Sequence, residues 1–468
     1  MSEIFSKSEK DVETTFKEIK YKDDINEIIK AVNTESRLAM QRKRERQKKR
    51  RKKIITRLSI LLIAFILAIV LIISGISALI RGITGLINAP KREATQALLD
   101  KAKIAASNYD YDKAIEIIMS YGDDYDKNSD LKKAVINYSG LKSTLVKYSD
   151  NQNVTHISFR TLIYDTKKAF DGDENEYKYN RNMTTVNEFS NILTELYNQN
   201  YILVSIKDIA KEKDGKFDFS DLYLPQGKKP LVISQEDVSY SSDLSGDGFA
   251  SKLIIDKNGA PKSEYKDENG KITTGNFDLI PILEDFIKKH PDFSYKGARA
   301  IIGVTGYDGV LGYRTNKESE NFIEGDIEKA KKVSKALKKL GYEFASNSFD
   351  YIDFKSSDVS KIKKDIEKWN LEVGSIVGET DILIYPDGND IKSGTYNQGG
   401  EKYSLLRNSG FNYFCFGDNS KYSVTLGETY LKQGRRILSG YRLENESDDL
   451  FDLFDIGRVI DISRPDNN

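Results

Sequence analysis

Apolar and polar positions alternate most regularly from about residue 154 onward, where strand-like and helix-like segments follow one another. Short apolar runs predict strands at 154–163, 201–206, 231–234, 300–305, 382–385, 413–416 and 436–438. Apolar residues at helical spacing predict helices after Thr185, at 279–289, at 326–340 and after Asp358. Strands alternating with helices over about 300 residues predict an α/β domain with a parallel sheet, either open or closed.

Local signals indicate where three of these helices begin or end. Thr185 and Glu188 have the spacing of a capping box, and Asp358 precedes the last helix. The helix over 326–340 is expected to stop at Gly341, because glycine adopts the left-handed conformation that ends helices.

A polar insert over 241–277 follows the strand at 231–234. Asn258-Gly259 and Asn269-Gly270 predict two tight hairpins within it. The insert either overhangs the end of that strand as a lid or decorates the surface, and the sequence leaves both alternatives open.

The front of the chain has the pattern of a membrane anchor. Residues 58–80 carry no charge, and 23 residues at 1.5 Å each are long enough to cross about 30 Å of hydrocarbon. Ten Lys and Arg residues within 42–53 precede this run. We therefore predict a transmembrane helix over 54–82, with a basic, largely disordered segment over 1–53 on the cytoplasmic side and the rest of the chain outside. Nucleic-acid binding by the basic run is disfavoured by its position against the span.

Residues 91–150 have the pattern of a helical stalk. Two helices separated by a short turn resemble a tetratricopeptide hairpin, with Tyr109 where the usual glycine stands. One such unit cannot form a repeat array, so we interpret it as a spacer or small docking module.

The charge distribution agrees with a chain that lies partly on the cytoplasmic side of a membrane and partly outside it. Residues 1–92 hold 21 Lys and Arg against 10 Asp and Glu, whereas the whole chain holds 72 of each, so the remainder is acidic. Cys415 is the single cysteine, which excludes an intramolecular disulfide, and only two histidines occur, His156 and His290.

One strand ends in adjacent carboxylates, Glu236 and Asp237, after the apolar run at 231–233. Acidic residues at the carboxyl end of a buried parallel strand are typical of barrel active sites. A strand running into a polar loop explains the same pair without any function.

Four segments in order carry a family resemblance. They are S-Q-E-D-V at 234–238, G-Y-E-F-A-S-N-S-F-D-Y at 341–351, I-Y-P-D-G at 384–388 and R-I-L-S-G at 436–440. Over 154–465 this frame resembles the polysaccharide deacetylases, carbohydrate esterases whose corresponding motifs are T-F-D-D-G, G-x-E-x-x-x-H-T-x-x-H, R-P-P-Y-G and a strand ending in a catalytic histidine. The resemblance implies a distorted (β/α) barrel, preceded here by the transmembrane helix and the stalk, and removal of acetyl groups from sugars with a divalent metal.

The resemblance assigns roles to individual positions. Glu236 occupies the place of the general base and Asp237 that of the metal-binding carboxylate. Asn347 and Tyr351 replace the two metal-binding histidines, which leaves Asp237 as the one family ligand. Asp387 replaces an aromatic residue beside the oxyanion donor, where its negative charge would oppose catalysis.

These departures predict a catalytically degenerate, membrane-anchored protein that binds a cell-surface polysaccharide or exopolysaccharide or assists its modification or assembly, with no cofactor. Tyr240, Tyr307, Tyr385 and Asp387 are its candidate substrate-binding residues, with Tyr313 and Trp369 as further candidate ring contacts. A glycan synthesis or export complex is a candidate partner.

An alternative is an active hydrolase that uses Glu236 and Asp237 as acid and base. In another form of that alternative, a metal such as zinc would be held by Asp237 together with Asn347 and Asp350. A third interpretation places the function in the helical stalk and treats the barrel as structural.

Overall fold

The computed structural model describes residues 89–391, 396 and 400–465. The predicted cytoplasmic segment over 1–53 and the transmembrane helix over 54–82 lie outside these residues. None of the helices in this part of the chain is long and apolar enough to span a membrane. The chain divides into two units, 1–93, of which only 89–93 are described, and 94–468.

Three helices come first: α1 (Ala89–Ser107), α2 (Tyr111–Met119) and α3 (Ser129–Ser143). The third was not predicted from the sequence. Ala102, Ala114, Ile118 and Leu131 are fully buried between the helices, so this segment has a small core of its own. Tyr109 turns the chain from α1 to α2 with a φ of 62°, the conformation for which a glycine was the expected residue.

The central sheet has nine strands, of which Val424–Leu426 pairs antiparallel at one side and the other eight are parallel. In chain order the eight parallel strands are β1 (Thr155–Phe159), β2 (Tyr201–Leu203), β3 (Lys229–Gln235), β4 (Ile301–Val304), β5 (Glu343–Ser346), β6 (Ile382–Ile384), β7 (Tyr413–Gly417) and β8 (Leu431–Ile437). Seven of them pair in parallel in the order β4-β5-β6-β7-β8-β1-β3, and β3 also pairs with β4. The sheet is therefore a closed seven-strand parallel barrel, with β2 paired to β3 outside the ring.

Side chains of the strands alternate between two apolar layers. Along β3, Leu231 and Ile233 belong to the larger core cluster, which also contains the inward faces of the surrounding helices. Val232 belongs to a second cluster, which contains residues of the other barrel strands and of the segments between them. Burial on both faces explains why β3 is a continuous apolar run.

The predicted helices lie between the strands: α4 (Val186–Asn198), α5 (Leu279–Lys289), α6 (Asp326–Leu340) and α7 (Val359–Trp369). The capping box of Thr185 is confirmed. Gly341 ends α6 with a φ of 107°, and the Asp358 side chain accepts a hydrogen bond from the Lys361 amide, as the sequence indicated.

The polar insert forms a separate antiparallel sheet of Lys252–Ile255, Pro261–Lys266 and Ile272–Gly275. Both predicted hairpin turns are confirmed, with positive φ angles at Gly259 and Gly270.

Smaller elements complete the described fold. They are the strands Val146–Lys147, Ala210–Lys213, Lys216–Phe219, Tyr223–Leu224 and Val424–Leu426 and the helices Thr166–Ala169, Glu176–Asn182, Ser375–Val377, Glu401–Asn408 and Gly440–Asn445.

Several strands differ from the sequence prediction: those predicted over 154–163 and 201–206 end at residues 159 and 203. The last strand begins at Leu431 rather than at residue 436, and β5 was not predicted as a strand. In β8 the residues Gln433, Arg435 and Arg436 interrupt the apolar pattern although all three are buried. Because these polar groups face buried partners rather than water, hydrophobicity alone does not reveal the strand.

Candidate functional site

Residues that directly follow barrel strands meet at one end of the barrel, which we call the mouth. Arg160 follows β1, Glu236 follows β3, Thr305 follows β4 and Asn347 follows β5. The carboxyl ends of parallel strands share one end of a barrel, the usual location of its ligand sites.

Glu236 is held by an arginine that was not identified from the sequence. Both terminal nitrogens of Arg435 donate to the same Glu236 oxygen, Oε2, each at 3.1 Å, and one also donates to the Tyr385 carbonyl at 3.2 Å. Both side chains are buried. The residue at the general-base position is therefore in a buried ion pair, and its carboxylate is covered by a guanidinium.

Each carboxylate oxygen of Asp237 accepts a hydrogen bond from a hydroxyl group. Thr305 donates to Oδ1 at 2.7 Å, and Tyr307 donates to Oδ2 at 2.9 Å. Burial raises the pKa of Asp237, and these hydroxyl donors partly offset that rise. The backbone here is left-handed, with a φ of 53°.

Asn347 and Tyr351, which stand at the positions of the two family histidines, make hydrogen bonds within the protein. Asn347 Oδ1 accepts from the Asp237 amide at 2.8 Å, and its Nδ2 donates to the Ile384 carbonyl at 3.0 Å. The Tyr351 hydroxyl accepts from Arg160 at 3.0 Å and from the Asp387 amide at 3.2 Å.

A second ion pair spans the mouth. The Arg160 guanidinium binds the Asp387 carboxylate and lies 3.7 Å from Glu236 Oε1. Arg160 follows β1 and Asp387 follows β6, strands that are as far apart around the ring as seven strands allow. Asp387 is thus paired with a cation, Arg160, at the mouth.

A divalent metal does not fit this set of donors. Both Asp237 oxygens and the Asn347 oxygen already accept short hydrogen bonds, and two guanidinium groups lie beside Glu236. Asp350 is exposed and lines a surface groove with residues of α7. Within the described residues no three His, Cys, Asp or Glu side chains are grouped to hold a metal ion. Oxygen coordination by Asp237, Asn347 and Asp350 therefore has no support in the geometry.

The candidate substrate-binding residues fall into two groups. Tyr307 and Asp387 lie at the mouth, half-buried and exposed respectively. Tyr240 and Tyr385 are fully buried, with hydroxyls bonded to Asp278 and Tyr396, so their rings offer no face to a ligand.

The two further ring candidates are also in the core. The Trp369 ring nitrogen donates to the Val304 carbonyl at 2.8 Å, and Tyr313 is buried.

The two histidines are structural. His156 lies between β8 and β3, with one ring nitrogen 3.1 Å from Gln433 and the other 2.8 Å from Ser234. Burial, with a further contribution from the charge of Arg435, lowers its pKa well below the usual range, so His156 is neutral. His290 ends α5 and packs its ring on Tyr197.

Two arginines were thus missed at the mouth. Arg160 lies inside the strand predicted over 154–163, whereas the observed β1 ends at Phe159, directly before Arg160. Arg435 lies within a strand, 199 positions from its partner Glu236. No local sequence pattern predicts a pair between residues so far apart.

Comparison with known proteins adds little to this geometry. No protein-family model matches the chain, and no curated protein is significantly similar to it. Among solved structures, the Streptococcus pyogenes deacetylase PplD in complex with acetate is 12% identical with a TM-score of 0.35, over 67% of this chain and 100% of the deacetylase. A similarity at this level supports no inference about function.

Proposed function

We propose that this chain is a membrane-anchored protein of the cell surface whose deacetylase-like barrel binds a glycan at its mouth without hydrolysing it. The motif frame over 154–465 and the closed parallel barrel support the deacetylase-like character. The observation that carries the absence of hydrolysis is the buried pair of Glu236 with Arg435.

The pair is incompatible with general-base catalysis by Glu236. A general base must reach within about 3 Å of the proton that it removes, either directly or through one water. Glu236 is only 1% exposed, and its Oε2 already accepts two charge-assisted hydrogen bonds from Arg435. Opening the site would leave a buried charge without its partner, which costs about 3–5 kcal/mol.

The rim of the mouth retains groups suited to a polyhydroxylated ligand. Arg160 is 26% and Asp387 56% exposed, and Tyr307 and Tyr351 are half-buried. An arginine and a carboxylate together donate to and accept from sugar hydroxyls, and partly exposed tyrosine rings supply apolar surface. The ion pair between Arg160 and Asp387 is accessible to solvent, so exchanging it for ligand contacts costs little.

The binding test uses the full-length protein purified in mild detergent and an N-acetylated glucosamine pentamer, followed by titration calorimetry. We expect the double variant Arg160→Ala with Asp387→Ala to bind at least tenfold more weakly at the mouth. Arg458→Ala is the matched control, because Arg458 is an exposed, ion-paired arginine on the segment after β8 and lacks any role at the mouth. Unchanged mouth binding in the double variant would refute the binding proposal.

Acetate release from the same pentamer separates binding from catalysis. We expect no release above that of a Glu236→Gln, Asp237→Asn double variant. Release by the wild-type protein that this double variant abolishes would establish the alternative, an active hydrolase with a rebuilt site.

We further propose that residues 54–82 anchor the protein and that the segment over 1–53 contacts a glycan synthesis or export complex in the cytoplasm. The uncharged run over 58–80 and the basic cluster before it support this arrangement. Crosslinking from the 1–53 segment is the direct test, and recovery of unrelated abundant proteins alone would contradict the proposed complex.

A further inference from the structure

A second cavity lies at the other end of the barrel from the mouth, beside the three N-terminal helices. It measures about 440 Å³, within the range of small-molecule sites. Its wall includes the turn between α1 and α2, the end of α3, and the segments that precede β3 and β4. Because these segments precede the strands, the cavity belongs to the amino-terminal end of the barrel.

Four tyrosines contribute to the wall: Tyr109, Tyr111, Tyr223 and Tyr295. Tyr111 and Tyr295 are buried, so Tyr109 and Tyr223 present the ring surface that a ligand can reach. The rings of Tyr109 and Tyr111 stand nearly perpendicular, with centroids 6.4 Å apart, and form an aromatic corner. Tyr223 is 44% exposed, so its ring is accessible to a ligand.

Both carboxylates of the wall are paired with lysines. Asp112 is paired with Lys142, Asp221 is paired with Lys147, and Lys296 is the fourth charged residue of the wall. The wall therefore presents no unpaired carboxylate, which disfavours a cationic ligand. The pair of Asp112 and Lys142 is exposed, so both groups remain able to hydrogen-bond a ligand.

Backbone strain marks the same place. Tyr109 and Lys296 have φ angles of 62° and 50°, and the Lys296 amide donates to the Asn108 carbonyl at 2.7 Å. Glycine would adopt these conformations without cost, yet the chain places side chains there that line the cavity. Strained residues other than glycine concentrate at functional sites, and the mouth has the same property at Asp237 and Asp387.

We propose that this cavity binds one uncharged sugar unit of a glycan, stacked on the tyrosines with its hydroxyl groups bonded to Asp112 and Lys142. Flat aromatic faces match the C–H faces of a pyranose, and a paired acid and base match neighbouring hydroxyls. The site is separate from the mouth, so it gives the protein a second glycan contact at the amino-terminal end of the barrel.

The test is calorimetry of the full-length protein with the N-acetylated glucosamine pentamer, comparing wall variants with mouth variants. Tyr109→Gly removes a ring at a backbone position that favours glycine, so the variant is expected to fold. We expect Tyr109→Gly and Tyr223→Ala each to weaken one of two binding events by about tenfold, as the loss of an aromatic contact does. Tyr177→Ala is the matched control, since Tyr177 is 68% exposed and outside the cavity wall.

The outcomes separate this proposal from the proposed function. Both sites are supported if the wall variants lose one binding event and the Arg160→Ala, Asp387→Ala variant loses the other. Loss only in the wall variants supports the cavity and refutes the mouth. Binding that is unchanged in both wall variants, no binding at all, or preference of this site for the cationic glucosamine pentamer or an oligogalacturonate overturns the cavity proposal.

Discussion

The guanidinium of Arg435 is completely buried at the base of the mouth and donates two hydrogen bonds to one oxygen of Glu236. In the deacetylases that the sequence resembles, a divalent metal supplies the positive charge at this end of the barrel. Here an arginine from β8 lies beside the general-base position. A buried carboxylate requires a compensating charge, and Arg435 provides it within the chain.

Removing that charge should therefore be costly. We expect Arg435→Met to lower the free energy of unfolding by about 3–5 kcal/mol, because Glu236 loses the buried partner that donates two hydrogen bonds to it. Chemical denaturation of the variant measures the loss.

The double variant Arg435→Met with Glu236→Leu should recover most of this stability, since no buried charge then remains. Arg458→Ala, at an exposed ion pair, should cost no more than about 1 kcal/mol. A double variant as unstable as Arg435→Met alone would contradict the view that the cost comes from the unpaired carboxylate.

Among the individual residues of the site, the carboxylates were predictable from the sequence and their partners were not. Glu236 and Asp237 were predicted because the strand and the carboxylates are adjacent in the chain. Arg435 and the donors to Asp237 could not be predicted, because those contacts depend on how distant strands meet around the barrel.

Among the elements, the helices were predictable where their ends carry a local signal. The Thr185 capping box, the Asp358 cap and the Gly341 stop each act within a few residues, so they are readable without the fold. The prediction missed residues 431–435 of β8 because its polar residues bond to distant parts of the chain: Gln433 to His156, Arg435 to Glu236 and Arg436 to Asp452.

One group of elements at the amino-terminal end of the barrel should make stability depend on pH. Ser205, after β2, donates its hydroxyl to Glu343 of β5 at 2.7 Å, and its amide donates to Asp208 at 2.9 Å. Burial raises the pKa of Asp208 and of Glu343 to about 6 in each case. A raised carboxyl pKa means that the folded state holds protons that the unfolded state has released.

These two groups therefore stabilise the fold below pH 4, and their contribution is lost as the pH rises through about 6. We expect the double variant Asp208→Asn with Glu343→Gln to gain roughly 4 kcal/mol relative to the wild type between pH 4 and pH 7, about 2 kcal/mol from each group. Unfolding curves of both proteins across this range give the difference. A difference that does not change with pH would show that the carboxyls titrate normally.

For the whole molecule, the alternating pattern predicted an α/β domain, and the closed ring of seven parallel strands confirms that class. Closure was not predictable from the pattern, because an open sheet has the same succession of strands and helices. It depends on the pairing of β3 with β4, between strands separated by the polar insert and α5.

The charge distribution leads to a prediction about the whole chain. We expect the full-length protein to stay with membranes after alkaline carbonate extraction, because 58–80 is an uncharged run long enough to span the bilayer. Protease added from outside should digest residues after 91 and spare the 1–53 segment.

Deleting 58–80 should release the protein into the soluble fraction, which is the matched control for carbonate extraction. Release of the intact wild-type chain by carbonate would contradict the anchor, and digestion of the 1–53 segment from outside would contradict the orientation.

Metal binding tests the central claim, which is that the base and metal positions at the mouth are occupied by the protein's own arginines and hydrogen-bond donors. The measurement is metal content and titration with zinc, cobalt and nickel of the full-length protein, with Asp237→Ala as the control. We predict no stoichiometric binding above that of the control, because both Asp237 oxygens and the Asn347 oxygen are already bonded. One equivalent of metal that binds tightly and is abolished by Asp237→Ala would contradict the account.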